Sequence, residues 1–112
     1  MGKAKKYYVY ILECSDGSYY TGYTDDLLKR YRKHLFGDGG CKYTKSHPPK
    51  KIARSWEIEG GRGGAMRIES FIKRQTRTVK EKIVRDPERL EDMLNNRDGG
   101  LNNILVNIVD NC

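Results

Sequence analysis

The sequence predicts a single small α/β domain in which three strands and several helices share one core. Three observations predict it. The chain has 112 residues, which is enough for one hydrophobic core but not for two. Its hydrophobic content of 37% is sufficient for a globular fold. Apolar runs and turn-forming residues then follow one another in the order strand, strand, helix, strand, helix.

A β-hairpin is predicted over residues 7–13 and 19–23, because both runs are rich in aromatic and branched side chains. The register of this hairpin decides whether Tyr10 and Tyr20 lie on the same face. A symmetric two-residue turn would place them on opposite faces, whereas a three-residue loop over residues 16–18 would place them together. If the two tyrosines act together, we expect the three-residue loop.

The first helix is predicted to begin after Thr24, a good N-cap, and to run to about Phe36. At 100° per residue, one side of this helix carries an apolar stripe that we expect to be buried. Arg30 and His34 lie one turn apart on the flank of the stripe, where side chains reach the rim of a cleft. The stripe consists of Leu27, Leu28, Tyr31 and Leu35.

A basic, glycine-containing loop is predicted over residues 37–51. Glycines let backbone amides approach phosphate oxygens, and lysines attract a polyanion without regard to its sequence. The alternative is a mobile, solvated loop. The candidate nucleic-acid contacts in this loop are Lys42, Tyr43, Lys45 and His47. A third strand is predicted over residues 52–58.

Glu69 lies on a second helix, predicted over residues 65–75 after two pairs of glycines. On this helix the carboxylate is flanked by apolar side chains on both sides, and such a position is costly unless a cation or donors compensate it. The compensating group could be Arg30, Lys73 at i+4, or a bound metal ion.

The remainder of the chain predicts two short helices and a final apolar segment. Thr78 is expected to cap a helix over residues 79–85, with Ile83 and Val84 facing inward. Pro87 is expected to start another helix towards Asn95. The apolar residues 101–109 could pack back on the domain as a strand or as a helix.

Charge is unevenly distributed along the chain, whose net charge is +7. Residues 1–56 carry 12 basic and 5 acidic side chains, whereas residues 86–112 carry 2 basic and 6 acidic ones. A basic body favours a polyanionic partner, with nucleic acid ahead of an anionic membrane surface. The alternative is an ordinary solvated surface rich in lysine.

The three cysteines are odd in number and lack the close pairs of zinc or redox motifs. We interpret them as reduced thiols. The sequence also has no apolar run of 18 residues and no signal-peptide pattern. These features predict an intracellular protein of the cytoplasm, or of the nucleoid or nuclear compartment, that does not associate with a membrane.

These motifs together resemble the GIY-YIG nuclease superfamily, and in particular its small stand-alone members. The two name motifs read Tyr8-Val9-Tyr10 and Tyr20-Thr21-Gly22 in this chain. Ten residues separate Tyr10 from Tyr20, and ten more lead to Arg30, with His34 one turn later and Glu69 on a later helix. The resemblance covers roughly residues 5–86, and it leaves residues 87–112 as an acidic extension that packs on or trails from the domain.

The resemblance implies a three-stranded antiparallel sheet flanked by helices and a metal-dependent endonuclease. Its substrate would be DNA, such as branched or damaged DNA in repair or recombination, cut to leave a 5′ phosphate and a 3′ hydroxyl. A protein partner is compatible with this class, and the sequence does not determine the oligomeric state. The implied nucleic-acid contacts are Tyr8, Gly22, Lys33, Lys42, Tyr43, Lys45 and His47.

The resemblance also implies a role for each catalytic residue. Glu69 would hold one Mg²⁺ ion, or Mn²⁺, to stabilise the leaving 3′ oxygen. Tyr20 would be the general base, which needs positive charge beside it because a free phenol has a pKa near ~10. Arg30 would clamp the scissile phosphate, and Tyr10 would hydrogen-bond the water or phosphate. His34 would donate to the phosphate or assist proton transfer.

Two positions depart from the family pattern. Many family nucleases have a lysine three residues after the second tyrosine, where this chain has Tyr23. Many also have an asparagine twelve to fifteen residues after the glutamate, where residues 81–84 provide none. Two other functions therefore stay open: a nucleic-acid-binding module with weak or lost catalysis, and a small interaction protein such as a subunit of a larger nuclease assembly.

Overall fold

The computed structural model describes residues 6–36, 46–95 and 106–109. Within them, one antiparallel sheet and four helices form the domain. The strands are β1 (Tyr7–Cys14), β2 (Tyr19–Thr24), β3 (Pro49–Ile58) and β4 (Val106–Val109). The helices are α1 (Leu27–Phe36), α2 (Gly61–Lys73), α3 (Arg77–Arg85) and α4 (Glu88–Asn95). No helix within these ranges is both long and apolar enough to cross a membrane.

The sheet has the strand order β2-β1-β3-β4, and all three pairings are antiparallel. The predicted α/β fold, with three antiparallel strands flanked by helices, is confirmed by β2, β1 and β3. The fourth strand, β4, adds to the free edge of β3 and settles the open choice between strand and helix for residues 106–109. β1 is the most apolar strand because side chains on both of its faces are buried, with Val9 and Ile11 on one face and Tyr10 and Leu12 on the other.

The hairpin register puts Tyr10 opposite Gly22 and Leu12 opposite Tyr20. Because side chains alternate along a strand, Tyr10 and Tyr20 lie on the same face, as the three-residue loop requires. The loop itself spans residues 15–17 rather than the predicted 16–18. Gly17 decides this position, because at φ 86° it occupies the left-handed site that ends a three-residue loop.

The core lies between one face of the sheet and the helices α2, α3 and α4. Val9 and Ile11 of β1 and Trp56 and Ile58 of β3 point to this face and are fully buried. The helices cover it with Ala65, Ile68, Phe71, Ile72, Ile83, Leu90 and Leu94. Each large apolar side chain removed from water in this way contributes about 1.5–3 kcal/mol. Tyr10 points to the opposite face, where α1 lies.

Three helix starts differ from the predictions. Asp26, not Thr24, caps α1, because its carboxylate accepts from the Lys29 amide at 3.1 Å while Thr24 accepts from the Asp26 amide. Helix α2 begins at Gly61, so glycines predicted to precede the helix form its first turn. Thr76, rather than Thr78, caps α3 by accepting from the Val79 amide at 3.3 Å.

The two C-terminal helices otherwise follow the sequence pattern. Ile83 is buried and Val84 packs against the core, as predicted. Helix α4 runs towards Asn95 as expected, and its Leu90 and Leu94 are buried. The first part of the acidic C-terminal segment therefore belongs to the hydrophobic core.

Candidate active site

A cleft of about 460 Å³ opens between the β1–β2 hairpin, the helix α1 and the edge of α2. Tyr10 and Tyr20 line it from the sheet, Arg30 lines it from α1, and Glu69 lines it from α2. Tyr10 is only 2% exposed, so it borders the cleft as a buried side chain. Four of the five predicted catalytic residues therefore meet around one cavity, although they come from four different elements of the chain. The complete lining consists of Tyr10, Tyr20, Gly22, Tyr23, Thr24, Asp25, Asp26, Lys29, Arg30, Lys33 and Glu69.

The fifth predicted residue, His34, lies behind Tyr10 rather than on the cleft wall. Its Nε2 atom is 2.9 Å from the Tyr10 hydroxyl, and its exposed fraction is 1%. The imidazole also lies beside both tyrosine rings, 5.9 Å from the Tyr10 centroid and 5.3 Å from the Tyr20 centroid. Direct donation from His34 to a phosphate in the cleft is inconsistent with this position.

Burial sets the charge state of His34. Desolvation, reinforced by the positive charge of Arg30, lowers the pKa of His34 from 6.5 to about 4. The imidazole is therefore neutral at physiological pH. A neutral imidazole has one donor and one acceptor nitrogen, so it can hold the Tyr10 hydroxyl without adding charge to the cleft.

The orientation of α1 differs from the prediction made from its apolar stripe. Leu28 is 65% exposed and Leu35 is 43% exposed, whereas His34 is buried. The helix is therefore rotated about its axis relative to the prediction, so that the side carrying His34 faces the sheet and the side carrying Leu28 faces solvent. The physical reason is that the Tyr10 hydroxyl satisfies the imidazole, which removes most of the cost of burying it.

Gly22 is required by the close approach of Tyr10. A Cβ atom on Gly22 would lie 2.5 Å from the Tyr10 hydroxyl oxygen and 2.7 Å from the ring carbon that bears it. No side chain other than hydrogen fits beneath this phenol. Gly22, predicted as a nucleic-acid contact, therefore also has a structural role that places Tyr10 in the cleft.

Glu69 is the residue predicted to hold a metal ion, and Asp25 and Asp26 are the other carboxylates that line the cleft. Its side chain is 17% exposed in the cleft, and Lys73 is its partner at 3.5 Å, one of the three compensating groups anticipated. Among the described residues there is no cluster of three or more potential ligands. A single carboxylate nevertheless fits Mg²⁺, which keeps several waters and completes its octahedron with substrate phosphate oxygens.

The predicted nucleic-acid contacts are not all at the cleft. Lys33 and Gly22 line it. Tyr8 lines a neighbouring shallow pocket with Leu27 and Leu28. His47 lies at the hairpin tip, with its Nε2 atom 3.6 Å from Asp16. The remaining three, Lys42, Tyr43 and Lys45, lie outside the described residues.

Lys29 is a cleft residue that the sequence reasoning missed. The helical wheel contained the signal, because Lys29 and Lys33 are four residues apart and share the side of α1 beyond Arg30. Lys73, anticipated as a partner of Glu69, also places its Nζ atom 5.7 Å from the centroid of the Tyr20 ring. That second contact joins α2 to β2, and spacing along the chain carries no signal of it.

Comparison with known proteins agrees with this arrangement. The family model described as the GIY-YIG catalytic domain matches residues 6–82. A UPF0213 protein of Halalkalibacterium halodurans is 45% identical over 78 residues, which cover 70% of this chain and 81% of the relative. A UPF0213 protein of Fusobacterium nucleatum is 46% identical over 82 residues, which cover 73% and 80%.

One further relative and a solved structure of the H. halodurans protein complete the comparison. A UPF0213 protein of Halobacterium salinarum is 44% identical over 77 residues, covering 69% of this chain and 97% of the relative. The solution NMR structure of the UPF0213 protein from Bacillus halodurans is 40% identical, covers 80% of this chain and 96% of that chain, and has a TM-score of 0.46.

Proposed function

Because this chain belongs to the GIY-YIG family, we propose that it is a metal-dependent endonuclease that hydrolyses phosphodiester bonds in DNA. The observation that carries the proposal is the meeting of Tyr10, Tyr20, Arg30 and Glu69 around one cleft. These side chains supply a base, a cationic clamp and a carboxylate, which are the groups that phosphodiester hydrolysis needs. Lys29 and Lys33 at the same cleft would attract the flanking phosphates.

Arg30 would bind the scissile phosphate. Its planar guanidinium can donate two parallel hydrogen bonds to nonbridging oxygens, which fixes the phosphate and offsets the charge that develops on it. Lys29 and Lys33 lie one residue before Arg30 and three residues after it, and both line the cleft. They provide attraction without bidentate geometry. The α1 side of the cleft would therefore be the phosphate-holding side.

Tyr20 would take the proton from the attacking water. Its ring has Lys73 at 5.7 Å, and Arg30 lines the same cleft, so positive charge stands near the phenol. Tyr10 would orient the water or the phosphate through its hydroxyl, whose position is fixed by His34 at 2.9 Å. In this scheme His34 is a positioning residue, which acts on the substrate only through Tyr10.

Glu69 would hold one Mg²⁺ ion together with water and substrate oxygens. When bound, the ion would supply positive charge for the leaving 3′ oxygen. Glu69 would have to exchange its pairing with Lys73 for the ion. Lys73 would then be available to the Tyr20 side of the cleft.

The test is cleavage of plain, nicked, flapped and branched DNA, with RNA of the same sequence for comparison, in Mg²⁺ or Mn²⁺. We expect cutting of at least one DNA substrate and a loss of about a hundredfold or more in Glu69→Gln, with binding retained. The matched control is Glu88→Gln, an exposed carboxylate on α4. Cutting that survives in Glu69→Gln would overturn the metal role.

A second candidate function is a nucleic-acid-binding module with weak catalysis. The observation in its favour is that α3 brings no amide side chain to the cleft: Ile83 is buried in the core and Glu81 pairs with Arg77 at 3.1 Å. Binding of DNA that weakens steeply with salt, with no cutting in either metal, would support this function. Failure to bind any nucleic acid at moderate salt would leave an interaction protein or a nuclease subunit.

A further inference from the structure

A cluster of three cations lies beyond the Tyr20 side of the cleft. Lys73 ends α2, and Arg77 and Lys80 lie on α3. Lys73 approaches the Tyr20 ring to 5.7 Å. Arg77 and Lys80 are three residues apart and share one face of α3, and Arg77 stacks on Tyr19, the neighbour of Tyr20. None of the three lines the cleft itself. The cluster is thus an electropositive surface next to the site, on a different element from the cations of α1.

Two members of the cluster already have partners. Arg77 donates to the Gly17 carbonyl at 2.7 Å and to Glu81 at 3.1 Å, and its guanidinium stacks on the Tyr19 ring at 3.8 Å. Lys73 pairs with Glu69 at 3.5 Å. These contacts fix two positive charges in place and leave Lys80 beside them.

Lys80 is different because its surroundings oppose its charge. It is half-buried, and within residues 6–36, 46–95 and 106–109 no carboxylate lies within salt-bridge distance of it. Burial, followed by the charges of Arg77 and Lys73, lowers the pKa of Lys80. A partly desolvated cation that faces two more cations is costly unless an anion compensates it.

We propose that Lys80, together with Lys73, binds a backbone phosphate of the nucleic acid that flanks the scissile phosphate on the Tyr20 side. This inference rests on the proposed function and extends it to the substrate footprint. Lys29, Arg30 and Lys33 hold the strand from α1, and Lys80 holds it from α3. The bound strand therefore passes over Tyr20 with phosphate contacts on both sides of the cut.

The first experiment measures binding of a fluorescein-labelled 20-base-pair duplex with Ca²⁺ in place of Mg²⁺. We expect Lys80→Gln to weaken binding about three- to tenfold and to reduce the salt slope by about one. Lys80→Arg keeps the charge and should bind within about twofold of the parent protein. The matched control is Lys82→Gln, an exposed lysine on the same helix that lines a separate groove with Ile83 and Arg89, and it should have no such effect.

The second experiment identifies the phosphate. Methylphosphonate linkages, which are neutral, are placed one at a time along the strand. At one position outside the scissile linkage, the neutral group should weaken the parent protein but not weaken Lys80→Gln further. Lys80→Arg should remain sensitive to the same linkage. This coupling would not arise from a merely structural role, and thermal melting of each variant confirms that it is folded.

Three outcomes would overturn the inference. The first is equal binding by Lys80→Gln and Lys82→Gln. The second is that, at every position of the methylphosphonate, the effects of the neutral linkage and of Lys80→Gln on the binding free energy simply add. The third is binding of inorganic phosphate at submillimolar concentration through Lys80 with no change in DNA affinity, which would identify a free anion as the ligand. If DNA is cut in any of these cases, the proposed function stands. Absence of both binding and cutting would overturn both.

Discussion

Gly22 is the residue at which the geometry of the site is most sensitive to a single added atom. In Gly22→Ala the new Cβ would meet the Tyr10 phenol at 2.5 Å, so the phenol must move out of its position over the strand. We expect at least a tenfold loss of cleavage, since small displacements of a positioning group are costly to the reaction. We also expect a loss of about 1–3 kcal/mol in the free energy of unfolding.

Cleavage rates and urea unfolding check this prediction, and Gly63→Ala is the matched control. A Cβ at Gly63 meets nothing within 4 Å, and the position lies inside α2. That substitution should leave cleavage unchanged and stabilise the protein by about 0.5–1 kcal/mol. Full activity in Gly22→Ala would contradict the close packing of Tyr10 on β2.

His34 should make stability depend on pH. Because its folded pKa is about 4, the unfolded chain binds a proton at this residue between pH 6.5 and 4 while the folded chain does not. The contribution is fully present above pH 6.5 and is lost as the pH falls to 4, by about 3 kcal/mol in total. We expect His34→Gln to remove this part of the slope.

Urea unfolding at half-unit pH steps measures that slope. The matched control is Ser70→Ala, a change at an exposed position on α2 that removes no titratable group, and it should keep the slope of the parent protein. An unchanged slope in His34→Gln would mean that folding does not lower the pKa of His34.

At the scale of elements, Arg77 connects the start of α3 to the β1–β2 hairpin. It holds the Gly17 carbonyl in the turn and covers the Tyr19 ring, the residue next to Tyr20. We expect Arg77→Ala to lower the free energy of unfolding by about 1–2 kcal/mol. Hydrogen exchange at the turn amides should accelerate as well, because the hairpin tip loses its hydrogen bond and ring contact with α3.

The control for this prediction is Arg67→Ala, an exposed arginine on α2. Its effect on stability should stay within about 0.5 kcal/mol. If both variants unfold alike and the turn amides exchange at the same rate, the contact between α3 and the hairpin does not stabilise the fold.

At the scale of the whole molecule, the cleft and the fourth strand are separate parts of the structure. β4 pairs with residues 55–58 of β3 at one edge of the sheet, whereas the cleft lies towards the other edge, at β1 and β2. We expect a chain ending at residue 95 to keep its cleavage activity within a few-fold. Its stability should fall by about 2–4 kcal/mol, because the β3 edge loses its partner.

Thermal melting and the cleavage assay together check this truncation. The cut must follow Asn95 rather than residue 86, because Leu90 and Leu94 of α4 are buried in the core. A folded truncated chain without activity would show that residues 96–112 contribute to the site. The division of the chain into a domain over residues 5–86 and an extension over residues 87–112 stays a prediction.

Much of the fold follows from local pattern. Runs of aromatic and branched residues predict β1, β2 and β3, while start and stop residues predict α3 and α4 to within a few residues. The start of α2 was less accurate, because several glycines stand close together there. Pattern could not distinguish Asp26 from Thr24, since both side chains do accept amide hydrogens in the folded chain.

The sequence by itself determined the family, the strand order of the hairpin and the identity of the groups that meet at the cleft. Those depend on residue type and spacing along one chain. Tertiary structure alone decided that His34 is buried behind Tyr10, that Leu28 is exposed, and that Lys73 lies beside Tyr20. Burial and charge state depend on which distant groups come to lie beside a residue, and packing between elements sets that.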